Sequence, residues 1–316
     1  MPFAEQLTGT PALTISSLRK SFGEVIAVDG LDLQVSRGEC FGLLGPNGAG
    51  KTTTIEICEG LITPDAGTVT LLGYNWRERS RELHQRIGVQ LQETQFPEKV
   101  TVEETISLFR SFFHKSLSVE QSISLAQLQE KRKARVGGLS GGQKQRLAMA
   151  CALVGDPDLV FLDEPTTGLD PQARRNLWEL VEGLKSAGRT IILTTHYMEE
   201  AERLCDRVAV MDHGRIIALG TPKELIASVG GDQIVEFAVH ENSMVDPAIF
   251  TGVPGIQSHR IHAGQHQLSV GELHTAVPRI FALLEEHALE LAEFRTHSAT
   301  LEDVFVALTG RNLRDE

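Results

Sequence analysis

Nine consecutive residues constrain this chain more than anything else in it: Gly45-Pro46-Asn47-Gly48-Ala49-Gly50-Lys51-Thr52-Thr53. The run fits G-x-x-x-x-G-K-[ST], a loop whose backbone amides wrap phosphate. Its flanks fit too. Residues 40–44 are short and mostly apolar, as a buried strand should be, and residues 53–59 read as a helix stopped by Gly60. A strand feeding a glycine loop into a helix start aims N–H groups and the positive dipole end at one point. There Lys51 reaches the β- and γ-phosphates, and the Thr52 hydroxyl can ligate Mg²⁺. A glycine-rich turn that merely ends a strand is the plainer reading, and the full match with both flanks outweighs it. The run predicts a chain that binds a nucleoside triphosphate.

Three further stretches carry chemistry. Ser140-Gly141-Gly142-Gln143, after Leu139, opens a helix running to about Val154. It is a second helix start able to hold an anion, and capping by Ser140 alone does not explain two glycines. Residues 158–165 are a buried strand ending in Asp163-Glu164. Two acids there are costly to bury without a partner. A hydrated Mg²⁺ gives Asp163 that partner and leaves Glu164 to polarise a water. Residues 190–194 form a strand delivering His196 at its carboxyl end, where ligands bind in parallel sheets. Asp170 caps, and Pro171 starts, a helix that ends at Gly188.

Around these, residues 13–18, 25–28 and 31–35 read as antiparallel strands with turns at Gly23 and Asp29-Gly30. Phe22 can stack on a base or sit at a strand edge, and position alone favours the edge. Residues 68–72 and 87–92 are strands, the latter ending in two amides, Gln90 and Gln92. Residues 75–86 are a solvated helix, 101–113 a helix with core spacing, and 118–135 a helix with a basic end. A strand–turn–strand spans 207–219, and Thr221-Pro222-Lys223-Glu224 is a capping box. Residues 229–232 mark a boundary, giving domains 1–231 and 232–316. The tail alternates strands (234–239, 256–261, 267–270, 291–296) with helices (273–287, 300–309), a small α+β module. Phe281, Leu284, Val304 and Phe305 are candidates for its core or for contact with a second copy. It holds seven of the 11 histidines. His259, His262 and His266 invite a metal reading, but 259 and 262 point to opposite faces of a strand, so surface histidines are expected.

The net charge of −12 disfavours attraction to nucleic acid. Cys40, Cys58, Cys151 and Cys205 form no C-x-x-C pair and suit a reducing compartment. No apolar run approaches a membrane span and the N-terminus lacks a signal peptide, so a cytoplasmic protein is expected.

In this order, the loop at 45–52, Gln92, Leu139–Gln143, Asp163-Glu164, the 168–170 loop and His196 resemble the ATP-binding subunit of an ABC transporter, from residue 11 to about 230. The tail, with Thr300-Leu301-Glu302-Asp303-Val304-Phe305, is similar to that of daunorubicin-resistance-type exporter ATPases. The resemblance implies an α/β P-loop NTPase of ABC ATPase type. Its parts would be a RecA-like core, an antiparallel β subdomain and a helical subdomain at about 93–155, with the small C-terminal α+β domain attached. It implies ATP and Mg²⁺ as ligands, with Thr52, Gln92 and, through water, Asp163 on the metal. Glu164 would be the general base and His196 would steady the γ-phosphate. Phe22, where the family has a tyrosine, becomes an adenine contact, and Asp170 joins the nucleotide site. Two copies would face head to tail, so Ser140–Gln143 of one meets the nucleotide of the other. The pair would drive polytopic membrane permease subunits docked near Gln92 and residues 93–113, on the inner face of the membrane. A soluble ABC-type ATPase acting on nucleic acid or the ribosome is the alternative. Against it stand the negative charge and the 94 residues, without a coiled-coil insertion, between Gly45 and Leu139. A nucleotide sensor without turnover is a third reading, against which Glu164 and His196 stand.

Overall fold

Alternation of apolar and polar residues builds the first sheet. On β1 (Leu13–Phe22), Leu13, Ile15 and Leu18 are buried, and on β2 (Val25–Val35) so are Leu31, Leu33 and Val35. The computed structural model describes residues 10–92, 94–228, 233–240, 245–262 and 265–310, excluding the side chain of His262. Asp29-Gly30, expected as a turn between two strands, lies inside β2. Leu18 pairs Leu31 and Arg19 pairs Asp29, so Gly30 is the extra residue of a bulge. Arg215 Nε holds the Asp29 carboxylate at 2.9 Å, which fixes that kink.

After β2 come β3 (Cys40–Leu44), α1 (Lys51–Cys58), β4 (Ala66–Leu71), α2 (Trp76–Arg86) and β5 (Ile87–Gln90). Next in the chain are α3 (Val102–Arg110), α4 (Val119–Leu125), α5 (Gly141–Leu153), β6 (Leu159–Asp163), α6 (Pro171–Ser186), β7 (Thr190–Thr195), α7 (Met198–Leu204), β8 (Arg207–Asp212) and β9 (Arg215–Gly220). A three-stranded antiparallel sheet has the order β2-β1-β4. A six-stranded sheet has the order β5-β6-β7-β3-β8-β9, parallel from β5 to β8. Both faces of its central strands are covered: every residue of β3, β6 and β7 is buried. The four cysteines are buried and free.

Val102, Ile106, Ile123, Leu147 and Val154 form a separate small core under α3, α4 and α5. The helix expected over 118–135 stops at Leu125, and Gln127 takes φ +53°. Arg132 explains the basic end. Its guanidinium grips Glu103 (2.9 and 2.6 Å) and Glu120 (2.7 Å), so the segment folds back over α3 and α4 rather than continuing as helix.

The chain divides into two compact units, Met1–Leu219 and Gly220–Glu316, a split ahead of residues 229–232, which lie outside the described residues. The second unit opens with α8 (Pro222–Ala227), capped by Thr221 and Glu224. It contains β10 (Gln233–Val239), β11 (Ile256–His262), β12 (Gln265–Val270), α9 (Leu273–Glu286), β13 (Leu291–Ser298) and α10 (Leu301–Thr309). Its antiparallel sheet has the order β11-β12-β10-β13. Leu284, Val304 and Phe305 are buried, while Phe281 stays exposed against the Phe294 ring. The histidines correct the expectation of a surface cluster. His266 is buried and stacked on Phe237, and its Nδ1 lies 2.9 Å from His259 Nε2. Among the described residues no group of three or more His, Cys, Asp or Glu could hold a metal ion.

Candidate active site

Adjacent strands bring the sequence motifs together. β7 lies between β3 and β6, with Leu44 level with Thr195 and Asp163 level with Thr194. The phosphate loop, the acid pair and His196 therefore leave the sheet side by side at its carboxyl edge. β5 lies beyond β6, so Gln92, two residues past its end, joins the same edge.

The loop folds tightly onto its neighbours. Gly50, with φ +96°, precedes α1, and a Cβ there would stand 2.1 Å from the Ala27 carbonyl oxygen. No other residue fits. Lys51 is only 4% exposed, and burying an ammonium costs several kcal/mol unless it is paired. Its Nζ donates to the carbonyls of Gly45 (2.9 Å) and Pro46 (3.0 Å) and lies 3.6 Å from Glu164 Oε1. Burial holds its pKa below the ordinary lysine value, against the pull of Glu164.

Asp163 and Glu164 share one anchor. Thr194 Oγ1 donates to Asp163 Oδ1 and accepts from the Glu164 N–H at 2.9 Å. Glu164 sits in the left-handed region at φ +44°, which costs a non-glycine residue about 1–3 kcal/mol and is held only where surroundings demand it. The twist turns its carboxylate toward Lys51, with Oε2 accepting from Thr167 Oγ1 at 3.1 Å and 3.1 Å from His196 Nδ1. The His196 contact holds the Glu164 carboxyl below the usual carboxylate range, against burial and with help from Lys51. Burial pushes Asp163 the other way, only partly offset by the Thr194 hydroxyl.

A cavity of about 260 Å³ is lined by Asn47, Gly48, Gly50, Lys51, Thr52, Thr53, Gln92 and Glu164, and by Val25 and Ala27 of β2. Those last two were not read from sequence. Phe22 does not line it: it is half exposed at the end of β1, opposite Val25, with Lys20 Nζ 5.3 Å from its ring centre. Asp170 spends its carboxylate on the N–H groups of Gln172 and Ala173, both 2.9 Å away. Ser140 and Gln143 form a capping box at the exposed start of α5. Gly142 has a packing cause that sequence reasoning missed, since a Cβ there would meet Ala173 Cβ at 2.7 Å, whereas Gly141 faces open space.

Mg²⁺ fits the donors present. Thr52 and Gln92 offer oxygen to the cavity, and the buried Asp163 carboxylate is short of stabilising charge. Thr194 and Thr167, the anchors of the acid pair, gave no signal beyond being hydroxyl residues near motifs.

A lysine-bearing phosphate loop beside a buried acid pair and a histidine defines a nucleoside triphosphatase. A family model described as ABC transporter matches residues 28–167. The chain is 44% identical over 310 residues to the Nod factor export ATP-binding protein I of Paraburkholderia xenovorans, covering 96% of this chain and 99% of that one. It is 42% identical over 313 residues to the protein of the same name in Ralstonia nicotianae, covering 97% and 96%. A solved ATP-binding subunit of an ABC transporter matches with a TM-score of 0.62 and 29% identity, over 69% of this chain and 93% of that one. The chain belongs to the ABC transporter family, as an ATP-binding, ATP-hydrolysing subunit. No described helix is long and apolar enough to cross a membrane.

Proposed function

We propose that this chain is the motor of an exporter of the daunorubicin-resistance type, in which ATP closes two copies head to tail and hydrolysis reopens them. Export is supported by relatives named for export that match nearly the whole chain. The observation that carries the chemistry is the placement of the Glu164 carboxylate, at once in the cavity, 3.6 Å from Lys51 Nζ and 3.1 Å from His196 Nδ1. Lys51 already points at the phosphate loop, so a triphosphate exchanges two carbonyl acceptors for its own oxygens. Glu164, kept ionised, orients a water and takes its proton, and His196 steadies the γ-phosphate. Thr52, Gln92 and, through water, Asp163 would hold Mg²⁺, which neutralises charge on the phosphates. Ser140–Gln143, away from this cavity, serve the partner copy's nucleotide. Membrane permease subunits dock near Gln92 and residues 94–113, where Leu108 and Phe112 are exposed, as is the adjoining Leu91. Residue 93 lies outside the described residues. The nucleotide-sensor and nucleic-acid readings are set aside, the first because the acid and histidine are in place, the second because the relatives are transporter subunits.

The test is Glu164→Gln in the full-length chain. ATP affinity stays and turnover falls by about 10²-fold or more, the scale of a general base. Near-normal turnover would remove Glu164 from the role.

A further inference from the structure

Behind the site lies a buried polar cluster that the hydrolysis proposed for Glu164 and His196 does not use. Glu200, in the first turn of α7, is 0% exposed. Its Oε1 accepts from Trp178 Nε1 of α6 at 2.9 Å, while its Oε2 is buried and closes no hydrogen bond of ordinary geometry. Thr166 Oγ1, two residues past Glu164, and Arg174 Nε, four past Asp170, are buried beside it and likewise close no hydrogen bond of ordinary geometry. These groups are neighbours. The hydroxyls of Thr195 and Thr166, the Trp178 indole and the Arg174 charge all act on the Glu200 carboxyl, although burial dominates and raises its pKa. Arg174 also lies over the Tyr197 ring, 4.3 Å from its centre, and that ring is 4.1 Å from the ring of His196.

One buried carboxyl thus stands among the turn after Glu164, the helix begun by Asp170 and the strand end that carries His196. An apolar side chain in its place would leave the buried Trp178 N–H without its acceptor and the Arg174 charge without its counterpart, so the carboxyl is what joins these elements. We propose that Glu200 is a positioning residue, tying the turn after Glu164 and the end of β7 to α6 and so setting how Glu164 and His196 face each other. Motion of α6 then reaches the acid and the histidine through the Trp178–Glu200 bond and the Arg174–Tyr197 contact. The inference rests on the reading of Glu164 as general base.

The test uses the full-length chain with two variants. Glu200→Gln keeps an acceptor for Trp178 but removes the charge facing Arg174. Trp178→Phe removes the donor and keeps an aromatic ring. In both, affinity for a fluorescent ATP analogue and KM are unchanged, while kcat falls by about ten- to a hundredfold, the scale of a small misplacement of reacting groups. Combining Glu200→Gln with Glu164→Gln lowers turnover no further than Glu164→Gln alone. A lowered Tm with unchanged kcat per folded molecule overturns the positioning role. Should Glu200→Gln not fold, Trp178→Phe decides by the same readings. Glu164→Gln on its own separates the two ideas: normal turnover there sinks the general-base reading, whereas an inactive Glu164→Gln beside a normal Glu200→Gln overturns only the role of Glu200.

Discussion

His196 Nδ1 stands 3.1 Å from Glu164 Oε2, and this contact is the largest influence holding the Glu164 carboxyl below the ordinary range. A depressed carboxylate pKa means that Glu164 stays ionised through neutral pH and is protonated only in acid. Removing the imidazole lets burial act with less opposition, so the pKa rises. His196→Ala should therefore lower kcat by about 10²-fold, as loss of a positioned group does. It should also move the acid limb of the kcat profile to higher pH. A profile of the variant that overlays the wild type after scaling, measured from acid to mildly alkaline pH, contradicts the coupling.

The start of α5 offers a different test. Ser140 caps this helix, accepting from the Gln143 N–H at 3.3 Å, and lies outside the cavity lined by Lys51. Ser140→Arg should cost about 0.5–2 kcal/mol of stability through the lost cap. The single chain should still bind ATP, while ATP-driven dimerisation and hydrolysis are abolished. Light scattering and a fluorescent analogue read the two halves separately. Loss of ATP by the monomer would show that this helix start serves its own nucleotide.

Most of the site was legible because its residues stand at the ends of short apolar runs. Strands of 5 or 6 residues such as β3, β6 and β7 are buried on both faces, and the residues just past each strand are forced to the sheet edge. The illegible parts depend on partners distant in sequence. Nothing near Thr194 announces that its hydroxyl anchors residues 163 and 164. Nothing near Gly142 announces that Ala173 packs against it. Arg132 ends the helical segment through Glu103 and Glu120, and sequence spacing carries no trace of that pairing. His259 and His266 went astray for the same reason: β11 and β12 pair them across a hairpin and against Phe237, so polar residues became part of a core.

Glu59, the C-cap of α1, carries an unusual cost. Both its carboxylate oxygens are buried without a partner, and burial, then the charges of Asp163 and Glu56, push its pKa up to about 8. The unfolded chain ionises near 4.5, so the folded state holds an extra proton between about 4.5 and 8 and stability falls as pH rises through that window. At about 1.4 kcal/mol per unit the ceiling is about 5 kcal/mol. Glu59→Gln should raise the Tm of the nucleotide-free protein at pH 8 by several degrees and change it far less at pH 5. An equal change at both pH values would falsify the assignment.

The histidine pair of the second unit predicts the opposite slope. His259 Nε2 and His266 Nδ1 share one hydrogen bond of 2.9 Å, so one ring donates, the other accepts, and both cannot carry an extra proton. Burial, joined at His259 by the charge of His266, holds both pKa values below the ordinary 6.5. The unfolded chain therefore takes up protons first as pH falls, and the pair's contribution is present above 6.5 and lost in acid. Phe237 and Phe250 pack on the rings and supply no charge to relieve them. Hydrogen exchange of the amides of β12 should accelerate, after correction for intrinsic rates, between about pH 7.5 and about pH 5.5. In the variant carrying His259→Gln and His266→Gln that acceleration should shrink, because an amide pair can bond at either pH. If both proteins show the same change, the imidazoles are not its source.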